Sequence, residues 1–263
     1  MSRYATLFDR LHQGGEGAFG AFLMLGDPDL PTSARLLDAL VEGGADMIEV
    51  GIPFSDPVAD GPVIQAASQR ALKAGVRVAD CLDLIAGFRD RHPVVPVGIL
   101  TYANIVMAPG RTEFMTAAAK AGADSLLIAD VPSLEAGPWA DDMTAAGIEP
   151  VLIAAANTPD ATLRRVANLS RAYTYCVSRA GITGVHSAGI FDASLPRRLA
   201  EAGAPPPVFG FGISEPDHVR AALSAGAAGV ISGSAIVRLA DQGPGAVADF
   251  VRSLKDATLQ AFA

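Results

Sequence analysis

Apolar residues along the chain fall into two kinds of segment that alternate from end to end. Short unbroken runs at about 18–25, 46–51, 95–101, 124–129, 149–154, 173–177, 207–211 and 228–232 lack the apolar/polar alternation of a half-exposed strand. They read as eight strands covered on both faces. Between them, apolar positions recur at helical spacing over 32–42, 63–73, 78–91, 112–121, 134–146, 160–169, 195–202 and 216–225. An extra amphipathic helix at 4–12 is placed to close a barrel floor, and 246–260 reads as the last outer helix. One phrase repeats: EGGADMIEV, KAGADSLLIAD, AAGIEPVLIAA, EAGAPPPVFGF and SAGAAGVISGS. Each is a helix end, a Gly stop and an apolar strand, which is the punctuation of helices alternating with parallel strands. Thr32, Thr158 and Ser214 stand where N-caps are expected.

Two folds use this alternation. A doubly wound open sheet calls for G-x-G-x-x-G after the first strand, and that motif is missing. The length, 263 residues, suits one α/β barrel, which typically needs roughly 250. The expectation is therefore a single (β/α)8 TIM-barrel domain over 1–263, with the extra N-terminal helix and a short helix after strand 8. No linker-like stretch or abrupt change of composition divides it.

Composition narrows the function. Half the residues are hydrophobic and 18% are charged, with a mean hydropathy of +0.32, enough to build a large interior. No apolar run approaches the roughly 20 residues of a membrane span, and the N-terminus has no signal-peptide h-region, so a cytoplasmic protein is expected. A net charge of −8 without a Lys/Arg cluster argues against nucleic acid. Cys81 and Cys176 fit no metal or disulfide spacing. His12, His92, His186 and His218 are dispersed, which gives little support to a metal site or a Ser-His-Asp nucleophile.

The segment IEVGIPFSDPVADGP is where chemistry first shows. Glu49 lies near the end of an apolar strand that feeds a Gly/Pro loop, and Asp60 follows eleven residues later. Burying a carboxylate costs several kcal/mol unless it is paired or used. For one isolated acid, a paired core carboxylate or one on a solvated rim is the stronger reading. The later loops change that balance. Gly210-Phe211-Gly212-Ile213-Ser214 follows the seventh strand, and Ser232-Gly233-Ser234-Ala235 follows the eighth and runs into AIVRLA. Barrels commonly hold phosphate on those two loops and the N-terminus of a short helix. Ser178 to Gly184 adds a third Gly-rich edge. Any one could be a mere turn, but three on successive loops point to a small phosphorylated ligand. No G-x-x-x-x-G-K-[ST] loop is present to make it a nucleotide.

With IEVGIPFSDPVADGPVIQ at 48–65, TYAN at 101–104, LLIADVP at 126–132, YTYCVSRAGITG at 173–184, FGFGIS at 209–214 and VISGSAIV at 230–237, the chain resembles the α subunit of tryptophan synthase. The matching segments are spread over most of the chain, in the family's order and spacing. The resemblance implies reversible retro-aldol cleavage of indole-3-glycerol phosphate to indole and glyceraldehyde 3-phosphate, a carbon–carbon lyase step. It places the catalytic pair on Glu49 and Asp60, and phosphate binding on Gly184, Gly212, Gly233 and Ser234. The indole pocket falls on Phe22, Leu100, Tyr102, Leu127, Ala129, Ile153, Tyr175 and Thr183. No cofactor is implied for this chain. The implied partner is a pyridoxal-phosphate β subunit in an α2β2 hetero-tetramer, met through the loop carrying Pro53, Asp56 and Pro57. The chain departs from the family pattern at Ala154-Ala155-Ala156 and at Val185 to Gly189.

The reaction accounts for these residue types. Glu49 at an apolar strand end should have a raised pKa and serve as acid and base in turn. Asp60, on what reads as a wetter loop, should stay ionised and stabilise charge on the indole N–H. Two rivals are weaker. A phosphoribosyl isomerase would position its acids differently, and a regulatory subunit would be expected to have lost Glu49 or Asp60.

Overall fold

A computed structural model describes residues 1–177 and 191–259. The strands are β1 (Ala18–Met24), β2 (Met47–Gly51), β3 (Val97–Thr101), β4 (Ser125–Ile128), β5 (Glu149–Pro150), β6 (Leu152–Ala155), β7 (Thr174–Val177), β8 (Pro207–Phe209) and β9 (Gly229–Ser232). They form one sheet in the order β5-β4-β3-β2-β1-β9-β8-β7-β6, and every pairing is parallel. Its two ends, β5 and β6, are consecutive segments separated only by Val151, so the sheet closes through the chain. The barrel thus has eight staves, and the fifth is broken in two where a single strand was expected.

Proline explains the break. Pro150 has no N–H to continue a ladder. The Val151 N–H still reaches Leu126 O (3.1 Å), while Pro150 O already accepts from the Arg171 N–H on the other side (2.9 Å). The chain therefore changes ladder partner at this point, from β4 to β7.

All seven residues of β1 are buried, as its unbroken apolar run predicts. Alternate residues divide between two cores. Phe19, Ala21 and Leu23 join the layer under the helices, whereas Ala18, Phe22 and Met24 face the barrel interior. The helix Arg3–Gly14 plugs the floor with Tyr4, Leu7 and Leu11, which pack into that same interior.

Three cap expectations fail for identifiable reasons. Asp29, not Thr32, caps the helix Leu30–Glu42, accepting the Thr32 N–H at 2.8 Å. Thr158 instead closes a turn by accepting the Ala155 N–H at 2.9 Å, because Pro159 precedes the helix Asp160–Leu169. Glu215 occupies the cap position ahead of Pro216, while Ser214 lies against His218. A short helix, Ala103–Met107, was not anticipated; Asp130 holds its first N–H at 2.8 Å.

Among the described residues, no helix is long and apolar enough to cross a membrane, and no group of His, Cys, Asp and Glu could hold a metal ion.

Candidate active site

Glu49 is the third residue of β2, registered between Phe22 on β1 and Gly98 on β3. Only 3% of it is exposed. Its neighbour Gly98 leaves room for Ser125 Oγ and the Tyr4 hydroxyl, which a Cβ there would strike. Tyr173 donates its O–H to Glu49 Oε1 at 3.0 Å. The Tyr173 ring lies 5.5 Å from that of Tyr4, whose hydroxyl meets Ser125 Oγ at 3.0 Å. Burial raises the Glu49 pKa from 4.5 to about 7; the Tyr173 hydrogen bond pulls it back, and the negative charge of Asp60 adds a further upward push.

Asp60 ends the loop that leaves β2. That loop is pinned at both ends. The Phe54 N–H donates to Ser68 Oγ (2.8 Å), and the Ser68 hydroxyl donates back to Phe54 O (2.8 Å). Near the other end, Gln65 Nε2 donates to Asp60 O at 2.7 Å. Tyr102 stacks on Phe54 with ring centroids 5.2 Å apart, and its hydroxyl accepts the Ala59 N–H at 3.2 Å. The sequence reading placed Asp60 on a wet loop, and this is corrected: the residue is 9% exposed. Burial raises its pKa from 3.8 to about 6, with the Tyr102 hydroxyl partly offsetting the rise. The ordering of the two acids survives. At neutral pH Asp60 is mostly ionised while Glu49 is poised between its two forms.

The expected indole-binding residues do gather. Phe22, Leu127 and Tyr175 are buried in the interior core, with Leu100, Ala129 and Ile153 partly buried against it. Tyr102 stands apart from that cluster, beside Phe54 and Asp60. Thr183 and Gly184 lie outside the described residues, as does the 185–190 segment. Tyr175 donates to Gly210 O at 3.2 Å and meets Phe211 edge-on with centroids 5.8 Å apart. Gly210 must be glycine, because a Cβ there would overlap the Tyr175 ring.

The remaining phosphate positions also converge. Gly212 takes a φ of +78°, a conformation that glycine adopts without strain. Ser232 Oγ donates to Ile213 O at 2.8 Å, tying the loop after β8 to the end of β9. The helix Ser234–Leu239 has Gly233 as its cap. Ser234 is its first residue, so its N–H is one of the donors a helix start leaves free. Gly233 lies over Phe22: a Cβ on it would sit 3.6 Å from Phe22 Cβ. An anion at this edge thus adjoins an apolar chamber with two acids in its wall.

Sequence reasoning missed Tyr173 and Phe211. Tyr173 was legible in principle, since in YTYCV it shares the inward parity of Tyr175. Phe211 was passed over inside a motif read only for its glycines.

A profile of the tryptophan synthase alpha chain family matches residues 8–259. The chain belongs to this family. The tryptophan synthase alpha chain of Klebsiella pneumoniae is 48% identical over 98% of this chain and 99% of its own length. That of Escherichia coli is 49% identical over 92% of this chain and 91% of its own. Among solved structures, Mycobacterium tuberculosis tryptophan synthase superposes with a TM-score of 0.90 at 30% identity, covering 98% of both chains. A protein from Aquifex aeolicus also reaches 0.90, at 32% identity, over 98% of this chain and 99% of that one. As a tryptophan synthase alpha chain, the protein is a lyase of tryptophan biosynthesis that cleaves indole-3-glycerol phosphate to indole and glyceraldehyde 3-phosphate. Replacing Tyr173 by Phe removes the donor that favours ionised Glu49. The alkaline limb of the rate–pH profile is expected to move to higher pH in that variant, with the acid limb unmoved.

Proposed function

We propose that Glu49 is the proton carrier of this lyase and Asp60 its electrostatic partner. The observation that carries the reading is the burial of Glu49 in the barrel interior with a pKa of about 7. Cleavage needs a proton on indole C3, giving the indolenine tautomer, and loss of the proton from the adjacent side-chain hydroxyl. A carboxyl group near neutrality can give the first and take the second, ending in the form in which it began. Asp60, mostly ionised, stabilises positive charge on the indole N–H as C3 becomes protonated.

Gly212, Gly233 and Ser234, with Gly184, hold the phosphate. Phe22, Leu100, Tyr102, Leu127, Ala129, Ile153, Tyr175 and Thr183 hold the indole. The chain acts as one barrel domain in the cytoplasm, as the alpha subunit of an α2β2 assembly whose β subunit consumes the indole. The protein itself needs no cofactor for the lyase step, since both proton transfers are served by the Glu49 carboxyl group.

The test is to supply indole-3-glycerol phosphate to the purified chain and measure indole with and without β subunit. Indole should form with the chain alone and faster with β subunit present. No indole in either case would reject the reading. Equal rates would leave a stand-alone lyase and reject the coupling.

A further inference from the structure

The barrel wall loses its hydrogen-bond ladder where it borders the indole pocket. β4 pairs with β5 only at Ser125↔Glu149 and Leu126↔Pro150, and β6 pairs with β7 alone. Among the described residues, the last backbone bond across this seam is Val151 N–H to Leu126 O at 3.1 Å. Beyond it, Leu127 and Ala129 stand on one side and Ile153 on the other, all three in or against the interior core. A ladder holds neighbouring strands about 4.7–4.9 Å apart. Without one, the spacing of the two edges is set by what anchors each of them.

The β4 edge is held from its far side, by Thr101↔Ile128 pairing with β3 and by the Ala129 N–H, which donates to Thr101 O at 2.9 Å. The tie across the seam is slight: the exposed Arg165 donates to Leu134 O at 3.1 Å. β6 is laddered on one side only, as far as Ala155↔Val177, and Ala154-Ala155-Ala156 carries no polar side chain to fix its rim end. Thr158 closes the turn that follows. Its hydroxyl accepts the Ala155 N–H and its own N–H donates to Ala155 O, both at 2.9 Å.

Arg198 grips that turn from outside. From the helix Ser194–Glu201, its Nη1 donates to Ala156 O at 3.0 Å and its Nη2 to Thr158 O. Nε and Nη2 also reach Asp160 Oδ1, at 3.0 and 2.6 Å. Asp160 is mostly exposed, so the ion pair alone is worth little. The two carbonyl contacts are charge-assisted and hold backbone. The helix is itself anchored by Leu195 and Leu199, both fully buried. Only a planar fork serves all three acceptors; a lysine ammonium is a single point charge.

We propose that Arg198 is a positioning residue of the lyase. By fixing the turn after β6 it sets the width of the seam between Leu127 and Ile153, and hence how large an aromatic ring the pocket admits. It touches no reacting atom. The inference rests on the reading of Leu127, Ala129 and Ile153 as part of the indole-pocket wall.

The reaction is reversible, so indole and a set of ring-methylated indoles can each be condensed with glyceraldehyde 3-phosphate by the purified chain and their kcat/KM values compared. One added carbon in a closed apolar pocket is discriminated by roughly 10–200-fold. Arg198→Ala should lower the discrimination against the methylindole that the parent rejects most by about tenfold. Arg198→Lys should lower it part of the way, and it keeps the test valid should the Ala variant fold poorly. Ile153→Ala opens the same wall directly and serves as the control. Where that control relaxes discrimination, two results for the Arg198 variants overturn the proposal: unchanged discrimination, or an equal fall in kcat/KM for indole and methylindoles, the mark of a merely structural role. Where Ile153→Ala and the Arg198 variants all leave discrimination unchanged, the reading of the pocket wall has failed and the proposal falls with it.

Discussion

Replacing Glu49 by Gln is expected to lower the rate of indole formation by about 10²–10⁴-fold, the range typical of a lost general acid–base group, while phosphate binding is retained. Gln matches Glu in shape and keeps an oxygen that can accept the Tyr173 O–H, so the 3.0 Å contact need not be broken. What disappears is the transferable proton. The described phosphate positions, Gly212, Gly233 and Ser234, lie on the loops after β8 and β9, tied by Ser232 to Ile213 without help from Glu49. A rate assay paired with a binding measurement for inorganic phosphate separates the two functions. Near-parental turnover would exclude Glu49 as the proton carrier, and loss of both properties would mean that the substitution had disturbed the fold.

The same substitution is expected to stabilise the protein, and only in one direction of pH. The folded-state pKa of Glu49 is about 7, against an ordinary value of 4.5. The folded chain thus holds a proton that the unfolded chain has already released across that window. Stability contributed by the protonated form is complete below 4.5 and is lost as pH rises through about 7. Above this window the native protein carries the cost of a buried charge that Gln does not have. At 1.36 kcal/mol per pKa unit, the variant should be more stable than the parent by roughly 2–4 kcal/mol at alkaline pH. The difference should shrink to near zero in mild acid. Urea unfolding of both proteins at about pH 5 and about pH 8 measures it. A difference independent of pH would show that Glu49 ionises normally. Asp60 acts in the same direction, with its pKa raised to about 6, but it is present in both proteins and largely cancels.

Much of this arrangement was readable from residue order. Runs such as Phe19 to Leu25 are apolar without alternation because both faces of the strand are covered, and that feature separates a barrel stave from a surface strand. The Gly stops marked most helix ends because glycine reaches the left-handed conformation there, as Gly15 and Gly122 do. Helix starts were read less well. Asp29 and Thr32 are equally good caps as residue types, and only three-dimensional geometry decides between them. The broken fifth stave was hidden for a different reason. Pro150 sits inside a continuous apolar run, and whether a missing N–H interrupts a ladder depends on neighbours that come from β4 and β7.

The site divides in the same way. Glu49 and Asp60 stood out because carboxylates are costly at strand ends and in apolar loops. The environment of Asp60 was misjudged, because loop residues such as Ser55, Asp56 and Pro57 suggest water. In the folded chain that acid is largely buried and meets the hydroxyl of Tyr102, whose ring stacks on Phe54. Tyr173 lies 124 positions along the chain from Glu49, so their hydrogen bond exists only once the barrel has closed.

The whole proton-transfer scheme depends on Glu49 titrating near neutrality inside the barrel. Carbon-13 labelling of glutamate side-chain carboxyls, with the Glu49 signal identified by its absence in the Glu49→Gln variant, permits a direct titration. A midpoint at about 7 is the expected result. A midpoint near the ordinary 4.5 would contradict the assignment of Glu49 as a carboxyl group poised to give and take a proton at neutral pH.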